Sequence, residues 1–187
     1  QAHRGGMGLW PENTIVAMKN AIDLGVDVLE LDLLISKDSL VVVSHEEIMS
    51  SEYVTKPDGS RVVKAEEASL VLFRMPYDSI RRYDTGLAGD SRHPARIRIA
   101  ACKPLLSELL DATESHARTK GIRNLRYKIE IKASRVKEKS GMAPDYKTFT
   151  DLCMEVILDK RLGDRVTIQS FDVRVLNYLH EKYPGTR

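Results

Sequence analysis

Val26-Asp27-Val28-Leu29-Glu30-Leu31-Asp32-Leu33-Leu34-Ile35 reads as a β-strand with two chemically different faces. Successive side chains of a strand point to opposite sides, so Leu29, Leu31 and Leu33 share one face while Val28, Glu30 and Asp32 share the other. Two carboxylates therefore stand side by side. A strand with one wet face would explain them by itself, but the flanks add chemistry. His3-Arg4-Gly5-Gly6 and Pro11-Glu12-Asn13-Thr14 come before, and Ser44-His45 closes the strand after. Two histidines, an arginine and three carboxylates in one βαββ unit have the composition of a site.

Outward from that unit, strands alternate with helices. Residues 2–4 read as the end of a first strand, and Gly5, Gly6 and Gly8 permit a backbone path closed to residues with a Cβ. His3 and Arg4 then stand at a strand's carboxyl end. Pro11 and Asn13 start a helix that runs to Leu24, with Ile15, Met18 and Ile22 at helical spacing and Gly25 to end it. A turn at Lys37-Asp38-Ser39 leads into a third strand, residues 40–44, which delivers His45 at its end. From Pro104, Leu105, Leu106, Leu109 and Leu110 begin an amphipathic helix that ends near Gly121. Residues 127–131 then repeat the alternation, with Tyr127, Ile129 and Ile131 on one face and Lys128, Glu130 and Lys132 on the other. Pro144 precedes a helix with Phe149, Leu152, Cys153, Val156 and Ile157 at core spacing. Residues 165–170 form a fifth strand carrying Gln169, and Asp172 is placed to cap a last helix.

Residues 46–103 lose this periodicity. Pro57-Asp58-Gly59, between Tyr53-Val54-Thr55 and Arg61-Val62-Val63, predicts a hairpin, and residues 77–83 a short helix. A connection of this length within one domain is expected as an insertion over the site. Its Arg92, Arg96 and Arg98 read as a solvated basic face.

At 187 residues, 42% hydrophobic and 30% charged, the chain has the composition of one soluble globular domain, residues 1–187. With 29 Lys plus Arg against 27 Asp plus Glu, the net charge of +2 gives no bulk attraction to nucleic acid or to a membrane surface. No apolar run approaches the roughly 18 residues of a membrane span, so stable membrane insertion is not expected. The chain opens on Gln1 rather than Met, which leaves room for a targeting segment already removed, and the compartment stays open between periplasmic or secreted and cytoplasmic. Cys102 and Cys153 lack metal-ligand spacing and are expected as two buried thiols.

Five strands alternating with helices, with reactive residues at their carboxyl ends, predict an α/β fold with a parallel sheet and right-handed crossovers, of the TIM (β/α)8 barrel type. Such a barrel takes about 250 residues, so the chain is expected to cover about the first five βα units and to be C-terminally incomplete.

In kind and in chain order, His3-Arg4-Gly5, Pro11-Glu12-Asn13-Thr14, Glu30-Leu31-Asp32, Val41-Val42-Val43-Ser44-His45, Glu130-Ile131-Lys132 and Gln169-Ser170-Phe171 resemble the motifs of the glycerophosphodiester phosphodiesterase family. The resemblance extends from residue 1 to about residue 179. It implies a TIM-type barrel of the phospholipase-C-like phosphodiesterase kind with an insertion after the third strand, residues 46–103. It also implies a divalent metal on Glu30, Asp32 and Glu130, catalytic histidines at His3 and His45, and substrate contacts from Arg4, Lys132 and Gln169. Two departures stand out: Glu46 occupies a position where the family commonly has Asp, and the late strand that usually brings a tryptophan to the pocket has no counterpart.

Elementary chemistry points the same way. Three carboxylates with no Cys or third His beside them make an all-oxygen anionic set, suited to Ca²⁺ or Mg²⁺ rather than zinc. A cation would relieve their repulsion and polarise a phosphoryl oxygen. A plain salt-bridge cluster of the same carboxylates with Arg4 and Lys132 would leave the two histidines unexplained. Because a phosphodiester loses an alkoxide, one histidine as proton donor to the leaving oxygen and the other as base lower the barrier. The expected reaction is metal-dependent hydrolysis of a small-molecule glycerophosphodiester to glycerol 3-phosphate and an alcohol. The alternatives are a related phosphodiesterase of intact (lyso)phospholipid, marked by an apolar rim, and a non-catalytic phosphate-binding domain. No motif speaks to the oligomeric state.

Overall fold

Strand β1 (Val28–Ile35) is buried on both faces, not wet on one; all but its first residue are inaccessible. In this computed structural model, which describes residues 1–186, β1 lies inside a four-stranded sheet. Its neighbours are β2 (Val41–Val43) on one side and β3 (Arg126–Ile131) on the other, with β4 (Val166–Gln169) beyond β3. β1, β3 and β4 are parallel, and their register sets Asp32 beside Glu130 and Glu130 beside Gln169.

One expectation about the sheet needs correction. β1 and β2 are antiparallel, because Ser36 N–H closes on the Leu40 carbonyl at 3.0 Å and so short a turn can return the chain only antiparallel. The expected end of a first strand is present as a parallel bridge, Ala2 to Leu29, after which His3–Gly5 winds into a 3-10 turn. Ala2 still gives and takes a backbone hydrogen bond with β1, at 2.8 Å to Val28 O and 3.0 Å from Glu30 N. The segment is therefore docked on the sheet beside β1.

Among the described residues there are six helices, and five of them follow the sequence pattern. α1 (Ile15–Asp23) is capped by Thr14, whose hydroxyl accepts from Ala17 N at 3.2 Å, so the helix starts after Asn13 rather than at it. α2 (Tyr77–Ile80) lies in the insertion, and α3 (Leu106–Thr119) leads from it to β3. α4 (Arg135–Lys139) is a short helix that the periodicity did not signal. α5 (Tyr146–Asp159) and α6 (Val173–Lys182) start on Asp145 and Asp172, each accepting backbone N–H groups as an N-cap.

The leucine face of β1, together with Tyr127, Ile129 and Ile131 of β3, packs on Met18 and Ile22 of α1, Leu106 and Leu110 of α3, and Phe149 and Cys153 of α5. That burial commits the opposite face, with Glu30, Asp32 and Glu130, to the other side of the sheet. There Leu34 and Val42 join a second apolar core built by the insertion from Met49, Tyr53, Val62, Leu72 and Ile80. Thr55 pairs with Arg61 across the expected hairpin. Arg96 contradicts the reading of a solvated basic face: it is buried, with Nε on Met7 O at 2.8 Å and Nη2 on Glu12 at 3.3 Å. Cys102 contradicts the expectation of two buried thiols, since it is exposed while Cys153 is buried; both are free.

The insertion is clamped to the loop before α1. Ile97 N donates to Leu9 O at 2.9 Å, and a Cβ on Gly86 would meet Ile99 O at 2.0 Å and Pro11 Cγ at 2.7 Å. Because the obstacle is a backbone carbonyl, Gly86→Ala forces main-chain movement and is expected to destabilise the protein by about 1–3 kcal/mol. For a domain of this size that lowers Tm by roughly 2–4 °C per kcal/mol. An unchanged Tm would show that the insertion is not held at this contact. Among the described residues, no helix is long and apolar enough to cross a membrane.

Candidate active site

The polar face of the sheet opens into a cleft of about 400 Å³, and every residue singled out from the sequence lines it: His3, Arg4, Glu30, Asp32, His45, Glu130, Lys132 and Gln169. No residue from 46 to 103 reaches the cleft lining.

The glycines of the first motif have a specific use. Arg4 sits at φ 50°, ψ 33°, and Gly5 and Gly6 follow at φ 78° and 90°. A Cβ on Gly5 would lie 2.9 Å from Ala17 Cβ, so α1 can approach only a glycine. The left-handed turn at Arg4 aims its backbone N–H at Glu30 Oε2, 2.7 Å away. Its guanidinium then spans two carboxylates, with Nη1 3.0 Å from Glu12 Oε1 and Nε 3.5 Å from Asp32 Oδ2. A non-glycine residue held in this region is strained, and such strain gathers at functional sites.

Glu30, Asp32 and Glu130 are buried, and each offers a carboxylate oxygen within 4.8 Å of the others. Oxygens that share a cation at about 2.0–2.6 Å stand at most roughly 4–5 Å apart, so the spacing fits one ion. The electrostatics fit as well. Burial, reinforced by the charges of Asp32 and Glu130, pushes the Glu30 carboxyl up, against the opposing pull of the Arg4 N–H and His3. Lys132 supplies only part of the missing charge, from 3.4 Å to Glu130 and 3.8 Å to Asp32. Gln169 Nε2 donates to the other oxygen of Glu130 at 3.0 Å. These three oxygen donors could hold a hard divalent cation.

The histidines flank this cluster from different elements. His3 has a side chain 60% exposed, with Nε2 3.9 Å from Glu30 Oε2. His45, at the end of β2, places Nδ1 2.9 Å from Glu46 Oε1. That hydrogen bond holds the Glu46 carboxyl far below its usual range, down to about 2. A carboxylate at Nδ1 accepts a hydrogen bond from the Nδ1–H, which leaves Nε2 for the cleft. The Glu46 departure from the family pattern therefore still supplies a carboxylate.

Sequence reasoning quoted some of these residues without seeing their use. Asn13, at φ 56°, donates to Asp32 Oδ2 at 2.9 Å and accepts from Asp32 N at 3.2 Å, so it clamps one candidate ligand from both ends. Glu12 is buried between Arg4 and Arg96. Asn13 carries the sequence signal of a helix start, and Glu12 counts among the three carboxylates of the opening unit, but neither pattern points to these partners. At the rim stands Phe171, 91% exposed.

Residues 3–187 match the sequence profile of the Glycerophosphoryl diester phosphodiesterase family. A glycerophosphodiester phosphodiesterase of Bacillus altitudinis is 28% identical over 184 residues, 98% of this chain and 62% of its own length. A human lysophospholipase D is 54% identical over 46 residues, 25% of this chain and 15% of its own. Among solved structures, one assigned as a glycerophosphoryl diester phosphodiesterase from Silicibacter pomeroyi superposes with a TM-score of 0.85 at 23% identity, covering 98% of this chain and 61% of that one. A phosphodiesterase of Oleispira antarctica in complex with its product sn-glycerol-3-phosphate superposes at 0.69 and 18% identity, covering 98% and 62%. These likenesses give the chain a TIM-barrel-like phosphodiesterase fold, of which it spans about three fifths of the relatives matched along their length.

Proposed function

The chain belongs to the glycerophosphoryl diester phosphodiesterase family, and on that premise we propose that it carries the catalytic half-site of a metal-dependent hydrolase of small glycerophosphodiesters, releasing glycerol 3-phosphate and an alcohol. In this reading residues 1–187 are one domain, the opening part of a TIM barrel in which β2 returns antiparallel on β1, and residues 46–103 are inserted after that strand. The observation that carries the proposal is the meeting, in one open cleft, of three buried carboxylates within 4.8 Å of one another with two histidines beside them. A phosphate-binding domain without catalysis would need neither imidazole.

Glu30, Asp32 and Glu130 would hold Ca²⁺ or Mg²⁺. When bound, such an ion neutralises the ligands and polarises a phosphoryl oxygen. The chain's own groups do the rest. Arg4 and Lys132, on either side of the carboxylates, orient the phosphate, and Gln169 keeps Glu130 turned toward the cluster. His45, backed at Nδ1 by Glu46, takes at Nε2 the proton of the attacking water, whose oxygen forms the new bond to phosphorus as the bond to the leaving alkoxide breaks. His3, largely solvent-accessible beside Glu30, gives a proton to the leaving alkoxide.

The exposed Phe171 at the cleft mouth supports a second reading, action on a lipid with an acyl chain. The test is hydrolysis of glycerophosphocholine and of lysophosphatidylcholine by the full-length protein, with and without chelator. Turnover of glycerophosphocholine alone, unaffected by Phe171→Ala, is the expected result. Faster turnover of the lysolipid, lost in Phe171→Ala, selects the second reading, and turnover of neither removes both.

A further inference from the structure

Lys103 is a buried charge that the chemistry above does not use. It stands where the insertion rejoins the sheet: its carbonyl accepts from Tyr77 Oη at 3.3 Å, and the next carbonyl, of Pro104, accepts from Val43 N at 2.8 Å. The side chain turns inward, 5% exposed, with Nζ 5.5 Å from the centre of the Tyr53 ring. Its hydrogen bond goes to a neutral group, Ser44 Oγ, at 2.8 Å. Among the described residues no carboxylate comes within ion-pair distance of it; Glu12, Glu46 and Asp32 act on it only from farther off. Burial pushes the ammonium down to about 8 against those three charges. An ammonium held this way is expensive compared with an apolar side chain of the same length, so its effect on its neighbours is the point of interest.

That effect follows from hydrogen-bond direction. Ser44 Oγ, occupied as an acceptor by the ammonium, directs its own proton to Glu46 O at 2.8 Å. Ser44 N is tied to Asp32 O at 2.9 Å. The turn over residues 44–46 is therefore held from the β1 side and from the insertion side, and it is this turn that sets Glu46 against His45 Nδ1. We propose that Lys103 is a positioning residue for His45: by orienting Ser44 it locks the turn in which Glu46 fixes the imidazole with Nε2 toward the cleft. The proposal rests on the reading of His45 as a proton-transfer group.

The test compares Lys103→Met, Ser44→Ala and the double variant in the full-length protein, by glycerophosphocholine kinetics and by ¹⁵N NMR of the His45 imidazole. Each single variant is expected to lower kcat by about 10- to 100-fold, the range for a small misplacement of a reacting group, with KM within about twofold. The double variant is expected to lose no more than either single one, as for residues acting through one link. In the spectrum, a single Nδ1–H tautomer in the wild type should give way to a mixture. Wild-type kcat and tautomer in a folded Lys103→Met protein would overturn the proposal, as would additive losses in the double variant. If Lys103→Met does not fold, Ser44→Ala decides, since it keeps the lysine and breaks the link. A wild-type protein without phosphodiesterase activity would count against the functional reading, while the tautomer measurement would still judge Lys103.

Discussion

Replacing His45 with alanine is expected to lower kcat by about 10²- to 10⁴-fold, the usual worth of a positioned acid or base, with KM near its wild-type value. In the proposed role His45 moves a proton rather than holding the phosphate, and its side-chain partner is Glu46. The loss should therefore fall on the transition state, lowering kcat and kcat/KM together. His3→Ala is expected to cost as much, and its largely exposed side chain makes a folding defect small. The two variants part company on a substrate with a good leaving group. A nitrophenolate needs no proton to depart, so a nitrophenyl phosphodiester should restore most of the rate lost in His3→Ala and little of that lost in His45→Ala. Restoration of both would exchange or dissolve the acid and base roles, and near-normal turnover in both variants on the natural diester would remove acid–base catalysis by these residues.

The site was legible in the sequence because it is written in short-range patterns. Alternation along residues 26–35 put Glu30 and Asp32 on one face, and the same alternation along 127–131 put Glu130 and Lys132 on one face. Once the leucine and isoleucine faces are buried, parallel pairing of β1 with β3 leaves those carboxylates nowhere to go but together. What stayed hidden depends on contacts across long stretches of chain. Arg96 looked solvated beside Arg92 and Arg98, yet Glu12, far behind it in sequence, draws it into the interior. Asn13 was read as a helix start because Asn favours that position, whereas its positive φ and two hydrogen bonds to Asp32 belong to the site. Lys103 gave no local signal at all, since its significance lies in a serine of another strand. The antiparallel turn of β2 was missed for a different reason: a strand's direction is carried by the length of its connection, and the repeat of strand and helix elsewhere suggested a single direction throughout.

Removing the divalent cation from the full-length protein is expected to abolish turnover, with Ca²⁺ or Mg²⁺ restoring it, and Glu30→Gln should raise the cation concentration needed by at least about 10- to 100-fold. The glutamine retains an oxygen that can accept the Arg4 N–H now given to Glu30, so the variant removes charge with little change of shape. Stability should move in the opposite sense. With no cation bound, Glu30 is a crowded anion whose carboxyl is pushed up by burial and by Asp32 and Glu130. Its charge opposes folding above that raised pKa and is relieved as the pH falls through it. Glu30→Gln should therefore raise Tm in chelator at neutral pH while losing most of the cation-induced increase seen in the wild type. That increase amounts to about 2.7 kcal/mol at a hundredfold excess over Kd. It should also shrink in the wild type on acidification, because a protonated Glu30 no longer favours the ion. An enzyme indifferent to chelator, with a Glu30→Gln variant less stable than wild type in its presence, would mean that Arg4 and Lys132 already satisfy the three carboxylates and that the cluster is an ion-pair network supporting the turn at Arg4.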